Sequence, residues 1–171
     1  MKSDQLPIHE YPTFFKGYIQ ALENVHLIEE LEICLHDFIK FVQNIPMDKF
    51  EYAYSEGKWT IKEIIQHIID TERILSYRAL RFSRKDSTPL AGFNENEYVM
   101  HSNAKNRNLQ DLLSELSSVR QATLALYKSF SQEQLKGIGT ASDQEISVRA
   151  LGFVIIGHQK HHQKVFQERY L

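Results

Sequence analysis

Thr60-Ile61-Lys62-Glu63-Ile64-Ile65-Gln66-His67-Ile68 is the stretch that decides the fold. Thr60 and Glu63 form a T-x-x-E capping box, in which each side chain can satisfy a free backbone N–H at the start of a helix. Apolar residues then recur at Ile61, Ile64, Ile65, Ile68, Leu75, Ala79 and Phe82. Intervals of three and four place them on one helical face. The pattern predicts a helix from about Thr60 to Arg84, ended by Lys85, Asp86 and Pro89.

Upstream, the same period runs through Leu27, Leu31, Cys34, Leu35, Phe38, Phe41, Val42 and Ile45 before Pro46 stops it. A short lead carrying Pro7 and Pro12 precedes that helix, and Glu51 to Lys58 reads as a connection. Downstream, residues 85–107 read as a long crossover. Asn108 is a candidate N-cap, with Asp111 three residues on where a helix dipole favours an anion. Leu109, Leu112, Leu113, Leu116, Val119, Thr123, Leu126, Tyr127 and Phe130 line the inner face of a third helix. Gly137 to Glu145 reads as loop, and Ser147 can cap a fourth helix bearing Val148, Leu151, Ile155, Val165 and Phe166. Four long helices with no convincing alternating strand predict an all-α four-helix bundle spanning residues 1–171 as a single domain. The crossover between helices two and three allows two neighbouring helices to run parallel.

The chain has 171 residues, 42% of them hydrophobic, enough for one core. Twenty basic and 22 acidic side chains leave a net charge of -2, so no strong field draws the chain to nucleic acid or an anionic membrane. No apolar run approaches the roughly 20 residues of a membrane span, and Met1 to Glu10 has no signal-peptide core. The lone cysteine, Cys34, lies in an apolar helical stripe and reads as a small buried hydrophobe. These features predict a soluble cytoplasmic protein.

The chemistry lies in the histidines. His158 and His162 are one helical turn apart, so both imidazoles can reach one metal at about 2.0–2.1 Å. With eight histidines in the chain, chance alone gives on the order of 0.4 such pairs. The face adds weight to the pair: His158 and His162 share the arc of Leu151, Ile155, Val165 and Phe166 and so point into the bundle. Two buried imidazoles need partners, and either a shared cation or carbonyls and hydroxyls of the core would serve. His67, in the middle of helix two with Thr71 and Arg78 on the same side, is the candidate third ligand. His161 also stands i+3 from His158, but it is rotated about 60° from His158 and about 100° from His162. It reads as a residue either behind the metal ligands or at the surface. Glu72 falls on the inward face, where it must either pair with an arginine or sit behind a metal-bound histidine as an acceptor. Three neutral imidazoles suit Zn²⁺ or Ni²⁺ and leave a coordination position open.

The run Gly57-Lys58-Trp59-Thr60-Ile61-Lys62-Glu63, with His67, Asp70, Thr71, Glu72 and Arg73 after it, resembles the DinB/YfiT-like superfamily. Gly157-His158-Gln159-Lys160-His161-His162 is similar to that superfamily's closing H-x-x-x-H motif. The resemblance implies His67, His158 and His162 as a metal triad, nickel or zinc as the metal, and a homodimer. Relatives include thiol-dependent transferases or isomerases that use low-molecular-weight thiols, and hydrolases. The run Gly92 to Val99 resembles a recurrent element of one branch, in which an acid is frequent at the position held here by Asn94. Two functions follow as expectations. One is a metal-dependent enzyme acting on a small molecule, and the other is a metal-stabilised dimeric binding or stress-response module.

Overall fold

A computed structural model describes all 171 residues. Nine elements are labelled in chain order: α1 Lys16–Gln20, α2 Leu27–Gln43, α3 Ile61–Ser83, α4 Glu95–His101, α5 Leu109–Lys128, α6 Gln132–Leu135, β1 Ile138–Ala141, β2 Gln144–Ser147 and α7 Val148–Arg169. The capping box forms at α3, where the Glu63 N–H donates to Thr60 Oγ1 at 3.3 Å and the Thr60 N–H to Glu63 Oε2 at 2.8 Å. Asn108 caps α5 by accepting from the Asp111 N–H at 2.8 Å, and Ser147 caps α7 by accepting from the Ala150 N–H at 3.1 Å. These caps fix the phase of each helix and therefore the face it buries.

The four long helices α2, α3, α5 and α7 form a four-helix bundle. Its core has two apolar halves. In one, the start of α2 (Leu27, Leu31) meets the end of α3 (Leu75, Ala79, Phe82), the end of α5 (Leu124, Tyr127) and the start of α7 (Val148, Leu151). In the other, Phe38 and Val42 of α2 meet Ile61 and Ile65 of α3, Leu112 and Leu116 of α5 and Phe166 of α7. α3 therefore runs parallel to its neighbour α5, and α2 runs parallel to its neighbour α7. The long connection after α3 makes the first parallel pair possible. Each large apolar side chain buried here contributes roughly 1.5–3 kcal/mol.

Between the two halves lies one polar layer. Arg120 of α5, fully buried, donates Nε and Nη2 to the two carboxylate oxygens of Glu72 on α3 at 2.7 and 2.8 Å. Its Nη2 also reaches Gln159 Oε1 of α7 at 2.7 Å, and its Nη1 reaches the Leu31 carbonyl at 2.8 Å and Cys34 Sγ at 3.0 Å on α2. One guanidinium thus ties all four helices, with all five of its N–H groups used. Cys34 is buried within this layer, where it also accepts packing from the core.

The connecting segments hold more structure than the sequence announces. Residues 137–145, read as loop, include most of a β-hairpin in which Ile138 pairs with Ser147 and Ala141 with Gln144. Ser142 and Asp143 take its turn at φ 51° and 60°, a left-handed pair that Asn-Gly more often fills. Gly139 lets the hairpin lie on α3, since a β-carbon there would stand 2.0 Å from the Phe82 ring. The crossover carries α4, capped by Asn94, whose Oδ1 accepts from the Asn96 N–H at 3.1 Å. It is laced to the hairpin by Leu90, which donates to the Thr140 carbonyl at 2.9 Å and accepts from the Ser142 N–H at 3.0 Å. The N-terminal lead folds into short 3₁₀ turns and α1. No helix is long and apolar enough to cross a membrane.

Candidate metal centre

His67 sits two turns inside α3, and the spacing of His67, Thr71, Leu75 and Arg78 puts these four side chains along one stripe. On α7, His158 and His162 face this stripe from successive turns. His158 Nε2 lies 3.0 Å from His67 Nε2 and 3.1 Å from His162 Nε2. His67 and His158 are buried and His162 is half-buried. Burial lowers the pKa of His67 to about 4 and, with His67 and His161 adding repulsion, that of His162 to about 3. Burial also holds His158 well below its ordinary value. All three imidazoles are therefore neutral at pH 7, the form in which histidine binds a metal.

The donor set fits a divalent ion. Tetrahedral coordination at about 2.0–2.1 Å separates ligand nitrogens by roughly 3.4 Å, close to the two spacings found. The triad is also the one group of histidine, cysteine or carboxylate side chains whose ligand atoms converge in this way. His162 Nδ1 is buried without a hydrogen-bond partner, so this imidazole lacks the outer acceptor that metal-bound histidines usually have.

Two aromatic residues frame the centre. The Trp59 ring stands 4.9 Å from that of His67, and Tyr170 donates its hydroxyl to the Trp59 carbonyl at 2.5 Å. Tyr18 of α1 meets His158 edge-on at 5.7 Å between ring centroids and His161 at 5.3 Å. His161 is exposed and stands outside the converging set.

His158 also forms part of the wall of a cavity of about 240 Å³. Thr71, Leu75 and Arg78 supply the α3 side, Tyr18 and Phe15 the N-terminal side, Phe93 and Glu95 the crossover side, and Ser142 and Ile146 the hairpin side. Partial burial against the cavity raises the pKa of Glu95, which is otherwise exposed, and burial lowers that of Arg78. Of the residues singled out from sequence, Thr71 and Arg78 reach this cavity, while Glu72 is turned away and held by Arg120. Asn94 is engaged as the cap of α4.

Sequence reading missed Tyr18, Arg120, Gln159 and Glu95. Gly157 offered a signal for the first. A β-carbon at this position would lie 2.3 Å from the Tyr18 carbonyl, so glycine is what admits α1 against α7. Arg120 stands on the inward face of α5 beside Thr123 and Tyr127, an arginine in an apolar stripe that answers the inward Glu72.

A family model described as the DinB superfamily matches residues 30–166. The chain belongs to the DinB superfamily. A relative from Oceanobacillus iheyensis, named "Putative metal-dependent hydrolase OB0413", is 21% identical over 145 residues, covering 83% of each chain. Among solved structures, YfiT from Bacillus subtilis superposes with a TM-score of 0.76 at 17% identity, covering 95% of this chain and 93% of that one. YfiT is described as "a probable metal-dependent hydrolase with an unusual four-helix bundle topology".

Proposed function

We propose that this protein is a metal-dependent hydrolase of small molecules, with a divalent ion held by the Nε2 atoms of His67, His158 and His162. The observation that carries this reading is the convergence of three neutral imidazoles, two Nε2–Nε2 spacings being 3.0 and 3.1 Å, at the wall of a cavity. Zinc and nickel are among the ions that three imidazoles suit. A divalent ion bound there supplies Lewis acidity, polarising a substrate oxygen and making water more acidic.

The chain's own residues supply the rest. Tyr18, Phe15, Leu75 and Phe93 exclude bulk water from the cavity and orient the apolar part of a substrate. Glu95 is the only carboxylate in the cavity wall, and burial raises its pKa. In this reading a Glu95 carboxylate oxygen takes the proton from the attacking water and returns it to the leaving group. The names given to the Oceanobacillus and Bacillus relatives support hydrolysis over thiol transfer.

The test is turnover by metal-reconstituted protein on a panel of small esters and amides, run beside low-molecular-weight thiols with electrophiles. Metal-dependent release of acid and alcohol or amine, lost in His158→Ala, is the expected result. Turnover confined to the thiol pairs, or none with either panel, contradicts it.

A further inference from the structure

Arg78 is a buried cation without a counter-ion. Only 6% exposed, it donates from Nη2 to the Ala91 carbonyl at 3.0 Å and to Ser142 Oγ at 3.1 Å, both neutral acceptors. Neither its Nε nor its Nη1 makes a protein hydrogen bond, although a guanidinium carries five N–H donors. The other two arginines that reach inward, Arg120 and Arg149, are each paired with a glutamate. Burying an unpaired charge is costly, and a site that keeps one is arranged for a partner that arrives with the ligand.

A second polar group in the same wall has no partner. Thr71 Oγ1 is buried with no hydrogen-bond partner, two turns before Arg78 on the same stripe of α3. Leu75, Phe93, Ile146 and Val154 give the same cavity apolar surface. At about 240 Å³, the cavity falls just below the roughly 300–1,000 Å³ of pockets for drug-sized ligands.

We propose that Arg78 recognises a carboxylate on the substrate, so that the cavity selects small monocarboxylic acids with an apolar, ring-sized body. The proposal rests on the hydrolase reading for where the reacting bond lies, and on the cavity alone for what is bound. The planar guanidinium fork matches a carboxylate in a bidentate arrangement, and one positive charge balances one negative charge. Glu95 in the same wall disfavours a dianion such as a phosphomonoester. Thr71 lies about 10 Å nearer the triad than Arg78 along α3, and the arginine side chain leans back towards it. The carboxylate is thereby held at one end of the cavity, with the scissile group several bonds away beside His158. Thr71 Oγ1 hydrogen-bonds a polar atom between the two.

The experiment is calorimetric titration of the metal-free full chain with phenylacetate, 3-phenylpropionate, their neutral amides and inorganic phosphate. Metal-free protein is used because a carboxylate can also ligate a metal. Wild type should bind at least one acid about tenfold or more tighter than its amide, Arg78→Met should lose that preference, and Arg78→Lys should keep part of it. Equal binding of acid and amide, an unchanged preference in Arg78→Met, phosphate binding tighter than either acid, or no acid binding up to about 10 mM each overturns the proposal. If Arg78→Met does not fold, the wild-type acid-to-amide ratio and Arg78→Lys decide it. Metal uptake, measured after the same preparations are reloaded with Zn²⁺ or Ni²⁺, separates the two readings. Full metal uptake without acid preference removes the carboxylate subsite and leaves the metal centre standing, while acid preference without metal uptake does the reverse.

Discussion

The carbonyl of Tyr18 lies so close to Gly157 that a β-carbon on Gly157 would stand 2.3 Å from it. This contact seats α1 against α7 immediately before His158, and it brings Tyr18, Phe14 and Phe15 to the cavity wall. Gly157→Ala should push α1 outward. Overpacking of this kind costs roughly 1–3 kcal/mol. Because the displaced element packs on His158 but supplies none of the three imidazoles, ligand affinity should fall while metal uptake persists. Thermal melts paired with metal analysis of the variant check both halves of this expectation.

Arg120 and Glu72 form the buried ion pair at the centre of the bundle. Removing one partner strands the other, so Arg120→Met should destabilise the protein by about 3–5 kcal/mol in urea titrations. The Glu72→Met, Arg120→Met double variant should recover most of that loss, because an apolar pair of similar volume needs no desolvation of charge. A double variant as unstable as the single one would show that the Gln159 and Leu31 contacts carry the layer instead.

Acid should unfold the metal-free protein through its histidines. The folded-state pKa values of His67 and His162, about 4 and about 3, lie below the ordinary 6.5. Between those values the unfolded chain binds more protons than the folded one, so stability is full above about pH 6.5 and is lost as pH falls towards 4 and below. Melting temperature should decline across that window in the metal-free wild type. His67→Gln should show a shallower decline, whereas an equally steep one would assign the acid sensitivity to other groups.

Much of the bundle was legible in the sequence because its signals are local. Thr60 with Glu63, Asn108 and Ser147 announce helix starts, and all three caps form. The apolar period gave the inner faces. Its weak point was the hairpin at 138–147, where Ile138-Gly139-Thr140-Ala141 has little alternation and Ser142-Asp143 is an uncommon turn pair. Pairing across that turn is held by packing on Phe82, which no local pattern announces. The N-terminal lead was opaque for a similar reason, since Tyr18 finds its place through contacts more than 130 positions away, at Gly157, His158 and His161. For the centre, spacing and face brought His158 and His162 forward, and the resemblance placed His67 with them. The role of Glu72 needed Arg120, which lies 48 residues further on.

Glu95→Gln should test the proton carrier in the cavity wall. The amide keeps the shape of the side chain and removes its base, so kcat should fall by about 10²–10⁴-fold while metal content stays at the wild-type level. Because burial raises the Glu95 pKa, wild-type activity should rise with pH as the carboxylate ionises, and that limb of the profile should vanish in the variant. Unchanged kcat with the limb intact would exclude Glu95 from proton transfer.

The most direct measurement of the metal centre is elemental analysis of the protein purified after growth in Zn²⁺ or Ni²⁺, beside a folded His158→Ala, His162→Ala double variant. About one ion per wild-type chain and next to none in the variant is the result expected of three convergent imidazoles. Equal and negligible metal in both proteins would contradict the account.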